Sequence, residues 1–140
     1  MFQVQLAEKY IKNCLINFFK ASLIYPVSLF SIKTAGDITY VFCNDNFLGS
    51  MNEKYLKHNT LTDIITFDYT EKGKISGDIF ISIERVKENA VSFNTTLNKE
   101  IGRVMAHGVL HLSGYKDKTS EDKEMMRSKE DFYLATFPNL

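Results

Sequence analysis

Two histidines four positions apart, then a glycine three residues on and an aspartate three beyond that, constrain this chain more than any other feature: His107-Gly-Val-Leu-His111-Leu-Ser-Gly114-Tyr-Lys-Asp117. Residues four apart on a helix share a face, about 5–6 Å apart at Cβ. Both imidazoles therefore reach a single metal ion, about 2.0–2.1 Å from each nitrogen. Gly114 supplies the exit, because a glycine leaves a helix through a left-handed conformation without a Cβ penalty. That turn swings Asp117 toward the same ion as a third ligand. Histidine pairs at helical spacing also occur as plain surface or satisfied core features, since short motifs constrain function loosely; here the glycine exit and the carboxylate set the pair apart.

His-x3-His-x2-Gly-x2-Asp has the spacing of an astacin-like or metzincin-like zinc helix, in which three ligands leave an open coordination position for water. The expected cofactor is one zinc ion per chain, and the expected chemistry is metal-dependent hydrolysis. Those proteases carry a glutamate directly after the first histidine as general base, whereas this chain has Gly108. Peptidase chemistry by that route is therefore disfavoured.

At 140 residues the chain is expected to be one domain, 1–140, large enough for a core without disulfide or metal staples. Its 44% hydrophobic content, with 11 Phe and 7 Tyr, excludes a disordered chain. A formal net charge of zero gives no global attraction for nucleic acid, so any such binding has to rest on a local basic patch; no DNA partner is expected. Cys14 and Cys43 do not make a metal-type pair and read as buried free thiols in a reducing compartment. The apolar stretch Cys14–Ile32 approaches the length of a membrane span, but Lys20 lies inside it and Pro26 breaks it. No secretory cleavage pattern follows a short apolar core, and a cytoplasmic location is expected.

Periodicity predicts an α+β fold, a small mixed sheet packed with helices and with the metal helix near the C-terminus. Leu6–Phe19 reads as an amphipathic helix, ended before or at Pro26, and Val27–Ile32 and Ile38–Cys43 read as strands. Asp45 is the expected N-cap of a short helix through Lys57 with Phe47, Leu48, Met51 and Tyr55 on its apolar side. Thr62–Phe67 and Gly77–Ser82 are strands by composition, joined by a turn at Glu71-Lys-Gly-Lys. Ser82 is expected to cap a following helix, Thr95 or Thr96 to open the metal helix, and Thr119 or Ser120 to open a last helix to about Leu134 with Met125, Met126 and Phe132 as its core stripe.

From about Gly36 to Tyr133 the chain resembles the YbeY family of bacterial endoribonucleases. The resemblance is carried in order by Ile38-Thr-Tyr-Val-Phe-Cys-Asn-Asp45, Asn52-Glu-Lys-Tyr55, Thr62-Asp63 with Thr66-Phe67, Gly77-Asp78-Ile79, and above all His107-Gly-x-Leu-His111-Leu-x-Gly-Tyr115. It implies a zinc-dependent, single-strand-specific endoribonuclease that matures the 3′ end of 16S ribosomal RNA and acts in ribosome quality control, with single-stranded ribosomal RNA and the small subunit as partners. Family members resemble one another in a His-Gly-x-Leu-His-Leu-x-Gly-Tyr-Asp-His pattern whose three histidines hold zinc. Here Lys116 stands at the aspartate and Asp117 at the third histidine, so the implied ligand set is His107, His111 and Asp117. After Tyr55 the family carries an arginine important for activity, and this chain has Leu56 followed by Lys57.

The expected catalytic residues are the three ligands, acting through metal-activated water. Lys57, Lys116 and Lys118 are candidate phosphate contacts, each equally readable as a plain solvated charge. Arg103, one turn before His107, faces either a substrate phosphate or Glu100. Asp63 and Asp78 are candidates for orienting a ligand histidine through its second ring nitrogen, or else strand-end residues bonding local amides. Two other readings stay open: a non-catalytic ribosome-assembly factor with a structural zinc, and a metallohydrolase of another substrate class.

Overall fold

The computed structural model describes residues 34–57 and 61–135. In chain order these form β1 (Thr34–Cys43), α1 (Asp45–Met51) continued by a π-helical turn (Asn52–Leu56), β2 (Ile64–Asp68), β3 (Lys74–Ser82), α2 (Ile83–Ser92), α3 (Leu97–Leu112) and α4 (Ser120–Ala135). The three strands make one sheet in the order β1-β3-β2, with β1 parallel to β3 and β2 antiparallel to it. The fold is thus α+β around a small mixed sheet. The expected helix at Leu6–Phe19, the strand at Val27–Ile32 and the thiol of Cys14 lie outside the described residues. No described helix is long and apolar enough to cross a membrane.

Central β3 sets the layering. Its burial alternates, with Ile75, Gly77, Ile79 and Ile81 buried on one face, as a two-residue side-chain period requires. Against that face lies α3, whose Val104, Met105, Val109, Leu110 and Leu112 recur at helical spacing and are buried with the strand isoleucines in one cluster. Each such side chain, fully buried, contributes about 1.5–3 kcal/mol. Ile38, Tyr40 and Phe42 of β1 pack on the same cluster, and the Tyr40 hydroxyl donates to the Met105 carbonyl at 3.3 Å. Gly108 is where helix and sheet come closest: a Cβ there would lie 2.9 Å from both Ile64 Cδ1 and Ile79 Cγ2. The position directly after His107 therefore faces strands, with no room for an acidic side chain.

Turns and caps follow local chemistry. Lys72 and Gly73 adopt positive φ of 51° and 78° between Glu71 and Lys74, which exchange backbone hydrogen bonds, so the expected turn closes the β2–β3 hairpin. Ser82 caps α2 by accepting from the Arg85 amide, and Thr96 caps α3 by accepting from that of Lys99. At α4, the Thr119 hydroxyl accepts from the Asp122 amide at 3.1 Å while the Asp122 carboxylate accepts from the Thr119 amide at 3.3 Å, a reciprocal capping pair.

Two expectations are corrected. The N-cap of α1 is Asn44, whose side-chain oxygen accepts from the Phe47 amide at 2.9 Å. Asp45 is drawn away by stronger partners, accepting from the Ser82 hydroxyl and from Arg85 Nε at 2.8 Å. On that segment only Leu48 is fully buried among the four expected apolar residues, and Phe47 and Tyr55 stay about half exposed. In α4 the buried stripe is Met126, Glu130 and Tyr133, whereas Met125 and Phe132 are exposed. A one-residue error of phase rotates the inferred face by about 100°.

The α3–α4 contact adds a polar seam to the apolar one made by Met126 and Tyr133, which join the same buried cluster. Arg103 bonds Glu130 at 3.0 Å and Asp131 at 2.9 Å, with Glu100 one turn earlier at 3.9 Å. Burial pushes the Glu100 carboxyl above the usual range against the opposing pull of Arg103 and Arg127.

Gly108→Ala is expected to lower unfolding free energy by about 1–3 kcal/mol through overpacking against Ile64 and Ile79, and Gly108→Glu to prevent folding; denaturant titration checks both. Because the folded pKa of Glu100 stands above its unfolded value, its contribution is fully present below the unfolded pKa and is lost as pH rises through the folded one. Glu100→Gln should therefore gain stability relative to the parent chain as pH rises out of the ordinary carboxylate range toward neutrality. A stability difference that stays constant over that window would contradict the assignment.

Candidate metal centre

The last two turns of α3 and the loop after it bring the three expected donors together. His107 and His111 stand one turn apart with Nε2 atoms 2.9 Å from each other, and Asp117 Oδ2 lies 3.7 Å from the first and 3.5 Å from the second. Two donors each about 2.05 Å from a tetrahedral ion are about 3.3 Å apart, and the three observed separations bracket that spacing. His107, His111 and Asp117 thus form a group that could hold a metal ion, and all three are partly exposed.

The loop that delivers Asp117 is specified by Gly114, with φ of 98°. Its amide donates to the His111 carbonyl at 2.9 Å and the Tyr115 amide to the Leu110 carbonyl at 3.0 Å, which satisfies two carbonyls at the helix end and reverses the chain. The same reversal brings the Tyr115 carbonyl 3.1 Å from His111 Nδ1.

Hydrogen-bond chemistry then fixes what the site can accept. A backbone carbonyl only accepts, so His111 carries its hydrogen on Nδ1. His107 Nδ1 lies 2.7 Å from Glu130 Oε1, and an ionised carboxylate also only accepts. Both Nε2 lone pairs are left facing one another beside a third acceptor, Asp117. Three acceptors converging without a donor call for a cation, either a proton or a metal ion. The donor set of two imidazoles and one carboxylate suits zinc.

Electrostatics agrees with that geometry. Burial works against a charged His107, yet the hydrogen bond to Glu130 and the charges of Glu130, Asp117 and Asp63 outweigh it and raise its pKa. Burial and the neighbouring His107 lower that of His111, against Asp117 and the Tyr115 carbonyl. Burial would raise the Glu130 carboxyl, but hydrogen bonds from His107 and Arg103 reverse the sign and hold it below the ordinary value. The cleft therefore favours a positive charge at His107 and disfavours a second one at His111.

Not every expected residue joins the site. Lys116 and Lys118 are exposed on either side of Asp117, and Lys57 is exposed at the end of the π-helical turn with φ of 55°. Arg103 points instead into α4, where Glu130 and Asp131 hold its guanidinium, so it is not presented to a phosphate. Neither aspartate orients a ligand histidine. Asp63 accepts from Asn89 Nδ2 at 3.1 Å and Asp78 from the Tyr69 hydroxyl at 3.2 Å, because both lie on the sheet side while the free edge of His107 faces α4. The groups bonded to the two Nδ1 atoms are Glu130 and the Tyr115 carbonyl, which the sequence reading missed. Glu130 had a legible signal, since it stands in register with Met126 and Tyr133 on one helical stripe.

Comparison with known proteins bears on the whole chain. The family model described as Endoribonuclease YbeY matches residues 3–138. A Flavobacterium johnsoniae protein named Endoribonuclease YbeY is 56% identical over 105 residues, covering 75% of this chain and 76% of that one. Its Cytophaga hutchinsonii namesake is 58% identical over 100 residues, covering 71% and 70%. A solution structure of a Thermotoga maritima protein superposes with a TM-score of 0.62 at 26% identity, over 94% of this chain and 80% of that one. A match spanning nearly the whole chain, together with a helix-borne donor group at the place the motif requires, makes this protein a member of the YbeY family.

Proposed function

We propose that this protein is a zinc-dependent, single-strand-specific endoribonuclease that matures the 3′ end of 16S ribosomal RNA and acts in ribosome quality control in the cytoplasm. The observation that carries the reading is the convergence of three acceptors, His107 Nε2, His111 Nε2 and Asp117 Oδ2, in a partly exposed cleft with no donor among them. Relatives at 56% and 58% identity bear the name Endoribonuclease YbeY, which supports RNA as the substrate class.

Within this reading His107, His111 and Asp117 hold the ion. When bound, zinc supplies a Lewis acid for a phosphoryl oxygen and acidifies water at neutral pH. Lys116 and Lys118 flank the third ligand and, with Lys57, hold backbone phosphates as point charges. Among the described residues three protein donors converge, and three leave a position open, as catalytic zinc sites do, whereas structural sites are closed by four. That counts against a purely structural zinc in an assembly factor. Gly108, packed against Ile64 and Ile79, counts against the peptidase alternative, because no general base fits at its position.

Dialysed protein is expected to contain about one zinc per chain by elemental analysis and to cleave single-stranded RNA; His111→Ala should lose both. Full zinc retention by that variant would sink the ligand assignment, and zinc without RNA cleavage would favour the assembly-factor reading. Replacing Lys57 and Lys116 together should leave zinc content unchanged while weakening single-stranded RNA binding across sequences. For every phosphate that a lysine no longer neutralises, the slope of log affinity against log salt should fall by roughly 0.7. An unchanged slope would place the RNA path elsewhere.

A further inference from the structure

Glu130 is a buried carboxylate whose two oxygens do different things. Oε1 lies 2.7 Å from His107 Nδ1, while Oε2 takes Arg103 Nη1 at 3.0 Å and Arg127 Nη1 at 3.5 Å. Burying a carboxylate is costly without partners, and balancing Arg103 does not by itself require one here. Asp131 already pairs with Arg103 at 2.9 Å from a more exposed position. What Glu130 alone supplies is the acceptor on the far edge of the His107 ring.

From this geometry we infer that Glu130 is a positioning residue of the metal centre: it holds the His107 hydrogen on Nδ1 and so aims the Nε2 lone pair at the ion, with Arg103 fixing the carboxylate in turn. The inference rests on the zinc reading proposed above and deepens it, because it makes the C-terminal helix α4 part of the site although none of its residues is a ligand. An acceptor on the distal nitrogen fixes both tautomer and ring orientation of a ligand histidine, and its removal typically weakens metal binding about 10–100-fold. The chain is Arg103 to Glu130 to His107, three residues on two helices that meet edge to edge. His111 is served in the same way by the Tyr115 carbonyl, which no substitution removes. Glu130 is therefore the point at which side-chain chemistry can reach the tautomers of the pair.

The test uses two readouts on the full chain. In metal-free protein, at a pH where both imidazoles are neutral, nitrogen-correlated NMR should show His107 protonated on Nδ1, and Glu130→Met should admit the Nε2–H form. Zinc affinity, measured by chelator competition, should fall about 10–100-fold in Glu130→Met. Glu130→Gln keeps an acceptor without the charge, so it should retain the Nδ1–H tautomer and lose less affinity; it decides the matter if the Met variant does not fold. His107 protonated on Nε2 in the parent protein, or zinc affinity in a folded Glu130→Met variant within about threefold of the parent, against the 10–100-fold expected, would overturn the inference. If the parent protein itself takes up no zinc, the proposed function fails instead, and the tautomer measurement alone then decides the role of Glu130.

Discussion

Everything in the site depends on where two imidazole hydrogens go. With Nδ1 of His111 committed to the Tyr115 carbonyl and Nδ1 of His107 to Glu130, both Nε2 lone pairs are forced toward the same point, 2.9 Å apart. That arrangement is unfavourable without a positive charge between them, and Asp117 adds a third acceptor rather than relief. The fold is organised to keep it. Gly108 lets α3 sit close on Ile64 and Ile79, Gly114 turns the chain to place both the Tyr115 carbonyl and Asp117, and α4 brings Glu130.

Two kinds of contact divide the work on α3. Its apolar side chains, packed with the sheet and with Met126 and Tyr133 of α4, provide the net stability, at about 1.5–3 kcal/mol for each one fully buried. Its α4-facing stripe, Glu100, Arg103 and His107, meets Glu130 and Asp131. Buried ion pairs of this sort roughly break even against apolar packing, yet removing one partner typically costs about 3–5 kcal/mol because a charge is left uncompensated. The seam is therefore weak as a source of stability and strict as a determinant of register. A helix that slid by one residue would turn its face by about 100° and lose every one of these partners.

The local features of this architecture were legible in the sequence. The helical spacing of His107 and His111, the exit at Gly114, the alternation in β3 and the hydroxyl caps Ser82 and Thr96 all depend on neighbours within a few residues, where spacing and side-chain chemistry suffice. Long-range partnerships were not. Asp45 looked like a cap because caps favour aspartate, but Arg85 and Ser82, forty and thirty-seven residues away, claim it and leave the cap to Asn44. Arg103 had a visible local partner in Glu100, while its shorter contacts come from residues twenty-seven and twenty-eight positions on. Glu130 was hidden by the assumption that a core stripe is apolar. The aspartates at 63 and 78 were placed near the histidines by motif order alone, and order carries no information about which edge of a ring they face.

The proposed third ligand position is where this chain departs from the pattern of the family it resembles, and the two substitutions there together raise the local formal charge by one. An aspartate followed by a neutral histidine carries a formal charge of minus one; Lys116 followed by Asp117 carries zero. The negative charge has moved from beside the donor group onto it, and a positive charge has taken its former place. A carboxylate ligand neutralises part of the charge of a divalent ion and weakens it as a Lewis acid, whereas an adjacent exposed lysine restores attraction for a phosphate without entering the ligand set. The pair is best understood as one unit. Asp117 without Lys116 would leave the mouth of the site more repulsive to RNA, and Lys116 without Asp117 would set an ammonium next to a two-histidine site already short of negative charge.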